Sequence, residues 1–222
     1  MKSQDIGEYR ILAFGDSNTF GYISGEDDYS RFGNDVRWPR VLNKLLGSEY
    51  CVIEEGLAGR TAAFEDFVSE GRCGLNYIVP CTESHAPLDL IIIMLGTNDL
   101  KQQYGATPEI ISRGIMRLAK RAEQANCWRK TPNLLIVAPL CISKEYSCAL
   151  CAGTFGEGCY EKSVQLPAKL ETHAAKQGYA FFDANRIPDM VTQKLDGIHL
   201  TAESHLKLAS ALFEKILDIR MN

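Results

Sequence analysis

Gly15-Asp16-Ser17-Asn18 follows directly on the apolar run Ile11 to Phe14. A serine at such a strand-to-helix turn can turn its hydroxyl toward a cleft and its amide toward an anion, which makes Ser17 a candidate nucleophile. An ordinary helix N-cap is the competing reading, since serine and aspartate are favoured there. Near the other end, Asp196-Gly197-Ile198-His199 sets a carboxylate just ahead of an imidazole. That spacing lets Asp196 bind one ring nitrogen of His199 and leaves the other free as a base for a hydroxyl. Two further loops offer hydrogen-bond donors. Gly56-Leu57-Ala58-Gly59 places small residues side by side, so a backbone amide can approach a substrate closely, although turn chemistry explains them equally well. Gly96-Thr97-Asn98-Asp99 puts an amide side chain where a developing oxyanion needs a donor; an asparagine turn is the alternative.

Other polar residues compete for these roles. Asp183 is the rival acid, because it too ends a strand, but only Asp196 is tethered close to His199. Asp16 reads as a turn-stabilising residue. Arg60 reads as a solvated partner of Glu54, Glu55 or Asp66. His85, His173 and His205 read as solvated or capping residues.

Elements that can carry these loops are visible along the chain. Arg10 to Phe14, Cys51 to Glu54, Leu90 to Leu95, Leu134 to Ala138 and Tyr179 to Phe182 read as strands. Leu90 to Leu95 is apolar at every position, a pattern that needs both faces covered and so points to a parallel sheet between helices. Trp38-Pro39 with Val41, Leu42, Leu45 and Leu46 before Gly47 reads as a helix. Thr107-Pro108-Glu109 opens another, with the stripe Ile111, Ile115, Leu118, Ala119 and Ala122. A third falls within Tyr160 to Gln177, with Pro167 at its start or at a kink. The last starts at Thr201 and buries Leu208, Ala209, Leu212 and Ile216. This alternation predicts a doubly wound, flavodoxin-like α/β/α sandwich on a five-stranded parallel sheet. Reactive groups in such a fold gather in the loops after the strands.

Composition agrees. Of 222 residues, 45% are hydrophobic and 23% charged, as in ordinary soluble domains, and one domain over 1–222 is expected. The net charge of −4 gives no electrostatic reason to bind nucleic acid or anionic lipid. No apolar run reaches the roughly 20 residues of a membrane span, and the polar start lacks a secretory core, so a cytoplasmic location is expected. There the eight cysteines should be thiols.

Taken together, the four blocks resemble those of the SGNH hydrolases, also called the GDSL family. Ser17, Gly59, Asn98 and His199 match the four block residues, and Asp196 matches the triad acid. The resemblance runs end to end. Asp35-Val-Arg-Trp38, Val52-Ile-Glu-Glu-Gly-Leu57, Pro87-Leu-Asp-Leu90 and Phe181-Phe-Asp-Ala184 are similar to the arylesterase/acyltransferase branch. The resemblance implies Ser17, Asp196 and His199 as triad, and Ser17, Gly59 and Asn98 as oxyanion hole. It also implies a small ester substrate, acyl transfer to alcohols or peroxide, and homo-oligomers. No metal or organic cofactor is called for. Asn18, Tyr22 and Ala58 depart from the branch's usual residues and border the implied substrate pocket.

Cys141, Cys148, Cys151 and Cys159 cluster in a stretch at about 140–160 that the resemblance implies is a variable loop over the cleft. Cys148-Ala-Leu-Cys151 has a gap found in zinc sites, but buried thiols are the preferred reading. Gly153, Gly156 and Gly158 predict an irregular path there. Other readings of the whole chain are a carbohydrate acetylesterase, a lysophospholipase or thioesterase, and a non-enzymatic anion-binding module on the same sheet.

Overall fold

The computed structural model describes residues 7–25, 30–148 and 152–221. The strands are β1 (Tyr9–Gly15), β2 (Tyr50–Gly56), β3 (Leu90–Met94), β4 (Leu134–Ala138) and β5 (Ala180–Asp183). All pair in parallel in the order β2-β1-β3-β4-β5. The order reverses direction at β1, so the crevice between the ends of β1 and β3 is the switch point where ligands bind in such sheets.

Alternation along the strands explains their apolar runs. Leu12 and Phe14 of β1, Ile91 and Ile93 of β3, and Leu134 and Ile136 of β4 join one core. Their neighbours Ile11, Ala13, Leu90, Ile92, Leu135 and Val137 join a second core on the opposite face. Helices α3 (Gly74–Ser84), α4 (Pro108–Glu123) and α6 (Cys159–Gln177) cover the first face. Helices α2 (Trp38–Leu46) and α7 (Ala202–Met221) pack together over the second. Two further helices, α1 (Ser17–Phe20) and α5 (Ala152–Phe155), are each a single turn. Both faces are therefore dry, as the unbroken apolar strand β3 requires.

The helix starts follow capping rules. The Thr107 hydroxyl accepts from the Ile110 amide at 3.3 Å, and Pro108 begins α4. Thr201 caps α7 through the Ser204 amide at 3.2 Å. The sequence reading overlooked α3, which has Pro80 in its interior and little apolar periodicity. It also expected an irregular path through the cysteine-rich stretch. There the chain forms a 3₁₀ turn over Lys144–Cys148 and then α5, and α6 starts at once at Cys159. The glycines Gly156 and Gly158 take positive φ between these helices rather than unwinding them.

Pro167 lies inside α6 and cannot donate to the carbonyl one turn back, that of Ser163. The Cys141 thiol donates to that carbonyl instead, at 3.4 Å. The Cys159 sulfur lies 3.2 Å from both the Leu100 and Phe155 carbonyls, which share its one hydrogen. Both are thus thiols with hydrogen-bond duties in the packing. The Cys148 side chain and Cys151 lie outside the described residues. Among the described residues, no helix is long and apolar enough to cross a membrane.

Candidate active site

Paired strands bring the first three blocks together. Gly15, at the end of β1, registers with Gly56 of β2 on one side and Met94 of β3 on the other. The loops bearing Ser17, Gly59 and Asn98 therefore leave three adjacent strand ends. Close backbone approach sets the turn: a Cβ on Gly56 would lie 2.6 Å from the Thr19 carbonyl carbon and 2.7 Å from Phe20 Cα. Position 56 must be glycine for α1 to pass over β2.

Hydrogen bonds then stitch the loops. The Leu57 amide donates to the Gly15 carbonyl at 3.2 Å, and Arg60 Nη1 donates to the same oxygen at 2.9 Å. Gly59 takes φ +80° in the turn between Leu57 and Arg60, a conformation that favours glycine. Asn98 opens a 3₁₀ turn after β3, and its Nδ2 donates to the Arg60 carbonyl at 3.1 Å. One amide hydrogen of Asn98 is thereby held beside the Gly59 turn, which fixes the direction of the other.

The last block arrives from the loop before α7. Ser17 Oγ stands 2.8 Å from His199 Nε2, and His199 Nδ1 stands 2.6 Å from Asp196 Oδ2. With Nδ1 protonated toward the carboxylate, Nε2 accepts from the serine hydroxyl. Asp196 Oδ1 accepts from the amides of Ile198 at 2.7 Å and His199 at 3.0 Å, so the loop folds around its own carboxylate. Burial pushes the Asp196 carboxyl up, but the hydrogen bond and charge of His199 and these amides outweigh it and hold the group below its ordinary value. Ser17, Asp196 and His199 are all buried.

Two residues expected at the pocket border, Asn18 and Tyr22, also contact the segment that carries His199. The Asn18 side chain accepts from the Leu200 amide at 2.8 Å and donates to the Ile198 carbonyl at 3.5 Å. The Tyr22 ring packs against the His199 ring at 4.6 Å between centroids. Ala58 is half-buried in the turn before Gly59.

Some expectations are corrected. Arg60 is buried rather than solvated; its guanidinium lies 4.1 Å over the Phe14 ring and binds the Gly15 and Glu55 carbonyls. His205 is also buried. Its Nδ1 accepts from the Trp38 amide at 3.4 Å, and burial, with His199 and Arg37 adding like charge, pushes it down to about 3. His85 and His173 instead pair with Glu55 and Glu109, each at 2.9 Å. Asp183 accepts from the Asn185 amide at 3.0 Å and from its side chain at 2.7 Å, and takes no part in the serine–imidazole series. Asp16 does stabilise its turn, accepting from the Asn18 amide at 2.9 Å, and burial pushes it up to about 6. Burial likewise raises Asp99 to about 7, although both its oxygens accept from the Ala62 amide.

Sequence reasoning missed Ser24 and Gln193. The Ser24 hydroxyl donates to Asp196 Oδ2, and the Ser24 amide donates to Gln193 Oε1 at 3.0 Å. Gln193 Nε2 donates to the carbonyls of Tyr22 at 2.9 Å and Leu200 at 3.0 Å. These contacts join chain segments far apart in sequence, and no local pattern announces them.

A hydroxyl, an imidazole and a carboxylate in one hydrogen-bonded series, at the switch point of a doubly wound sheet, define a serine hydrolase. The chain belongs to the GDSL-like lipase/acylhydrolase family, whose model matches residues 13–207. Among solved structures it is similar to the native aryl esterase of M. smegmatis, at 33% identity over 94% of this chain and 98% of that one, with a TM-score of 0.85. It is equally similar to a carbohydrate acetylesterase from Sinorhizobium meliloti, at 33% identity over 96% of this chain and 100% of that one, with a TM-score of 0.86. No curated protein matches the chain.

Proposed function

We propose that the protein is an esterase for small carboxylic esters, aryl and acetyl esters above all, working through an acyl-enzyme on Ser17. The observation that carries this reading is the series Ser17 Oγ, His199 Nε2 and Asp196 Oδ2, linked at 2.8 and 2.6 Å. Ser17 Oγ attacks the ester carbonyl carbon while His199 Nε2 takes its proton. Asp196 holds the ring in place and stabilises the imidazolium. The carbonyl oxygen gathers negative charge among the amides of Ser17 and Gly59 and the Asn98 side chain. Collapse breaks the ester bond, and His199 returns the proton to the departing alcohol or phenol. Water then attacks the acyl-enzyme, giving its proton to Nε2; the carboxylic acid leaves and Ser17 regains its hydrogen. An alcohol or peroxide in place of water gives acyl transfer.

Similarity to both an aryl esterase and a carbohydrate acetylesterase supports a small acyl group and leaves two classes of leaving group in play. Tyr22 and Ala58, beside His199 and Gly59, are the residues we assign to the border of the acyl pocket. A fluorophosphonate probe should label wild type at Ser17 and leave folded Ser17→Ala unlabelled, with turnover of aryl acetates lowered by at least about 10⁴-fold. Ordinary rates in Ser17→Ala would remove the proposal. Aryl acetates compared with acetylated sugars separate the two substrate classes.

The same reading takes 1–222 as one catalytic domain in the cytoplasm. Free thiols at Cys51, Cys73, Cys81, Cys127, Cys141 and Cys159 support that compartment. Self-association is supported by Phe67 and Val68, which are 76% and 82% exposed and give a second copy apolar surface to bury.

A further inference from the structure

At the end of β2, three side chains of different chemistry converge. Glu55 comes from the end of β2, while Cys81 and His85 come from successive turns at the end of α3. Glu55 Oε1, Cys81 Sγ and His85 Nε2 all lie within 4.8 Å of one another, with His85 Nε2 only 2.9 Å from Glu55 Oε1. We propose that Glu55, Cys81 and His85 form a zinc site that clamps the end of α3 to the end of β2, with water completing a tetrahedron.

The chemistry fits zinc better than a harder cation. One thiolate, one imidazole and one carboxylate form a mixed sulfur, nitrogen and oxygen set, which zinc accepts at about 2.0–2.3 Å. Tetrahedral ligand atoms at those bond lengths stand about 3.3–3.8 Å apart, so small rotamer shifts close the set. Cys81 and His85 share one face of α3 by their spacing of one turn. Cys81 is 1% exposed and His85 is half-buried, so the sulfur is shielded while the imidazole side offers a way in.

The neighbouring charges are compatible. Arg60 Nη2 lies 3.8 Å from Glu55 Oε2, leaving Oε1 for the metal and supplying an outer partner to the carboxylate. The Tyr77 ring lies beside Arg60, at 5.4 Å from its guanidinium carbon. Burial and the Glu55 charge push the Cys81 thiol up to about 12, so zinc must displace its proton: an S–H bond breaks, a Zn–S bond forms and the proton goes to water.

The test uses the whole chain, stripped by a chelator and then given zinc sulfate or cobalt chloride alone. Wild type should take up one zinc per chain, melt higher with zinc, and show a thiolate-to-cobalt charge-transfer band. His85→Gln, at a half-buried position, should bind zinc at least about 100-fold more weakly, beyond the ~10–100-fold loss from removing an outer partner. Cys81→Ser should lose the cobalt band while its circular dichroism stays that of wild type. If Cys81→Ser does not fold, the same comparison rests on His85→Gln. Folded wild type that takes up no zinc overturns the proposal. So does a cobalt band that persists in Cys81→Ser, a zinc affinity unchanged in His85→Gln, or a band that disappears only in Cys148→Ser or Cys151→Ser.

Discussion

The Ser24 hydroxyl donates to Asp196 Oδ2, the same oxygen that faces His199 Nδ1. Asp196 is thus held from both sides: the amides of Ile198 and His199 bind one oxygen, and a hydroxyl from the loop after α1 shares the other with the imidazole. Through Gln193, that loop is also tied to the chain around Leu200. The carboxylate bonded to the His199 ring is therefore positioned by two loops, not one.

Removing the Ser24 hydroxyl should loosen that carboxylate without touching the reacting atoms. Ser24→Ala is expected to lower kcat about 10-fold, the equivalent of one charged hydrogen bond of about 1.4 kcal/mol, with KM nearly unchanged. Steady-state kinetics on an aryl acetate measures this. An unchanged kcat would make the contact incidental.

Asp196 and Asp183 both lie near strand or helix ends, but only one bonds to His199. Asp196→Asn should lower kcat about 10⁴-fold by favouring the wrong tautomer. Asp183→Asn should leave kcat near that of wild type, because Asp183 is occupied by Asn185 and lies 3.4 Å from Arg186 Nε. The reverse ranking would reassign the acid.

Asn98 is held by the Arg60 carbonyl, so its amide is already directed before substrate arrives. On the proposed reading the donor acts on charge that develops in the transition state, so Asn98→Ala should cost about 10²–10³ in kcat with little change in KM. A loss confined to KM would point to ground-state binding instead.

His205 should make the fold acid-sensitive. Buried neutral in the native state, it is pushed down to about 3, against about 6.5 in the unfolded chain. Its contribution to stability is full above about 6.5 and is lost as pH falls toward 3, by up to about 1.4 kcal/mol per pH unit, because only the unfolded chain takes up the proton. Asp16 and Asp99, raised to about 6 and 7, act oppositely over pH 4–7, so comparison with a variant isolates the histidine. His205→Asn keeps an acceptor for the Trp38 amide. Its denaturation midpoint should fall less than that of wild type between pH 7 and 5; parallel curves would refute the assignment.

The loops that meet at the site were readable because each follows a strand whose apolar run is itself a strong signal. Leu134 to Ala138 matches β4 to the residue, and the other strands differ only at their ends. Helix α3 escaped notice because Pro80 and mixed polar residues mask a face that buries Leu75, Ile78 and Cys81. Arg60 is buried where a solvated side chain is expected, and His205, expected as solvated or capping, is buried and accepts from the first amide of α2. Their burial depends on Phe14, Trp38 and the two strand-end carbonyls around them, which lie elsewhere in the chain. Ser24 was invisible for the same reason: its partner Asp196 is reached only when the whole sheet is assembled.

The bare hydrogen at Gly56 has a practical corollary for protein engineering. On the proposed reading, random libraries that diversify Tyr22 and Ala58 retune which esters enter, whereas any side chain at 56 must lift the first helical turn and swing the Ser17 hydroxyl away from its imidazole. Mutational scanning should accordingly find one intolerant position on the second strand, although that residue contributes no functional group to the reaction.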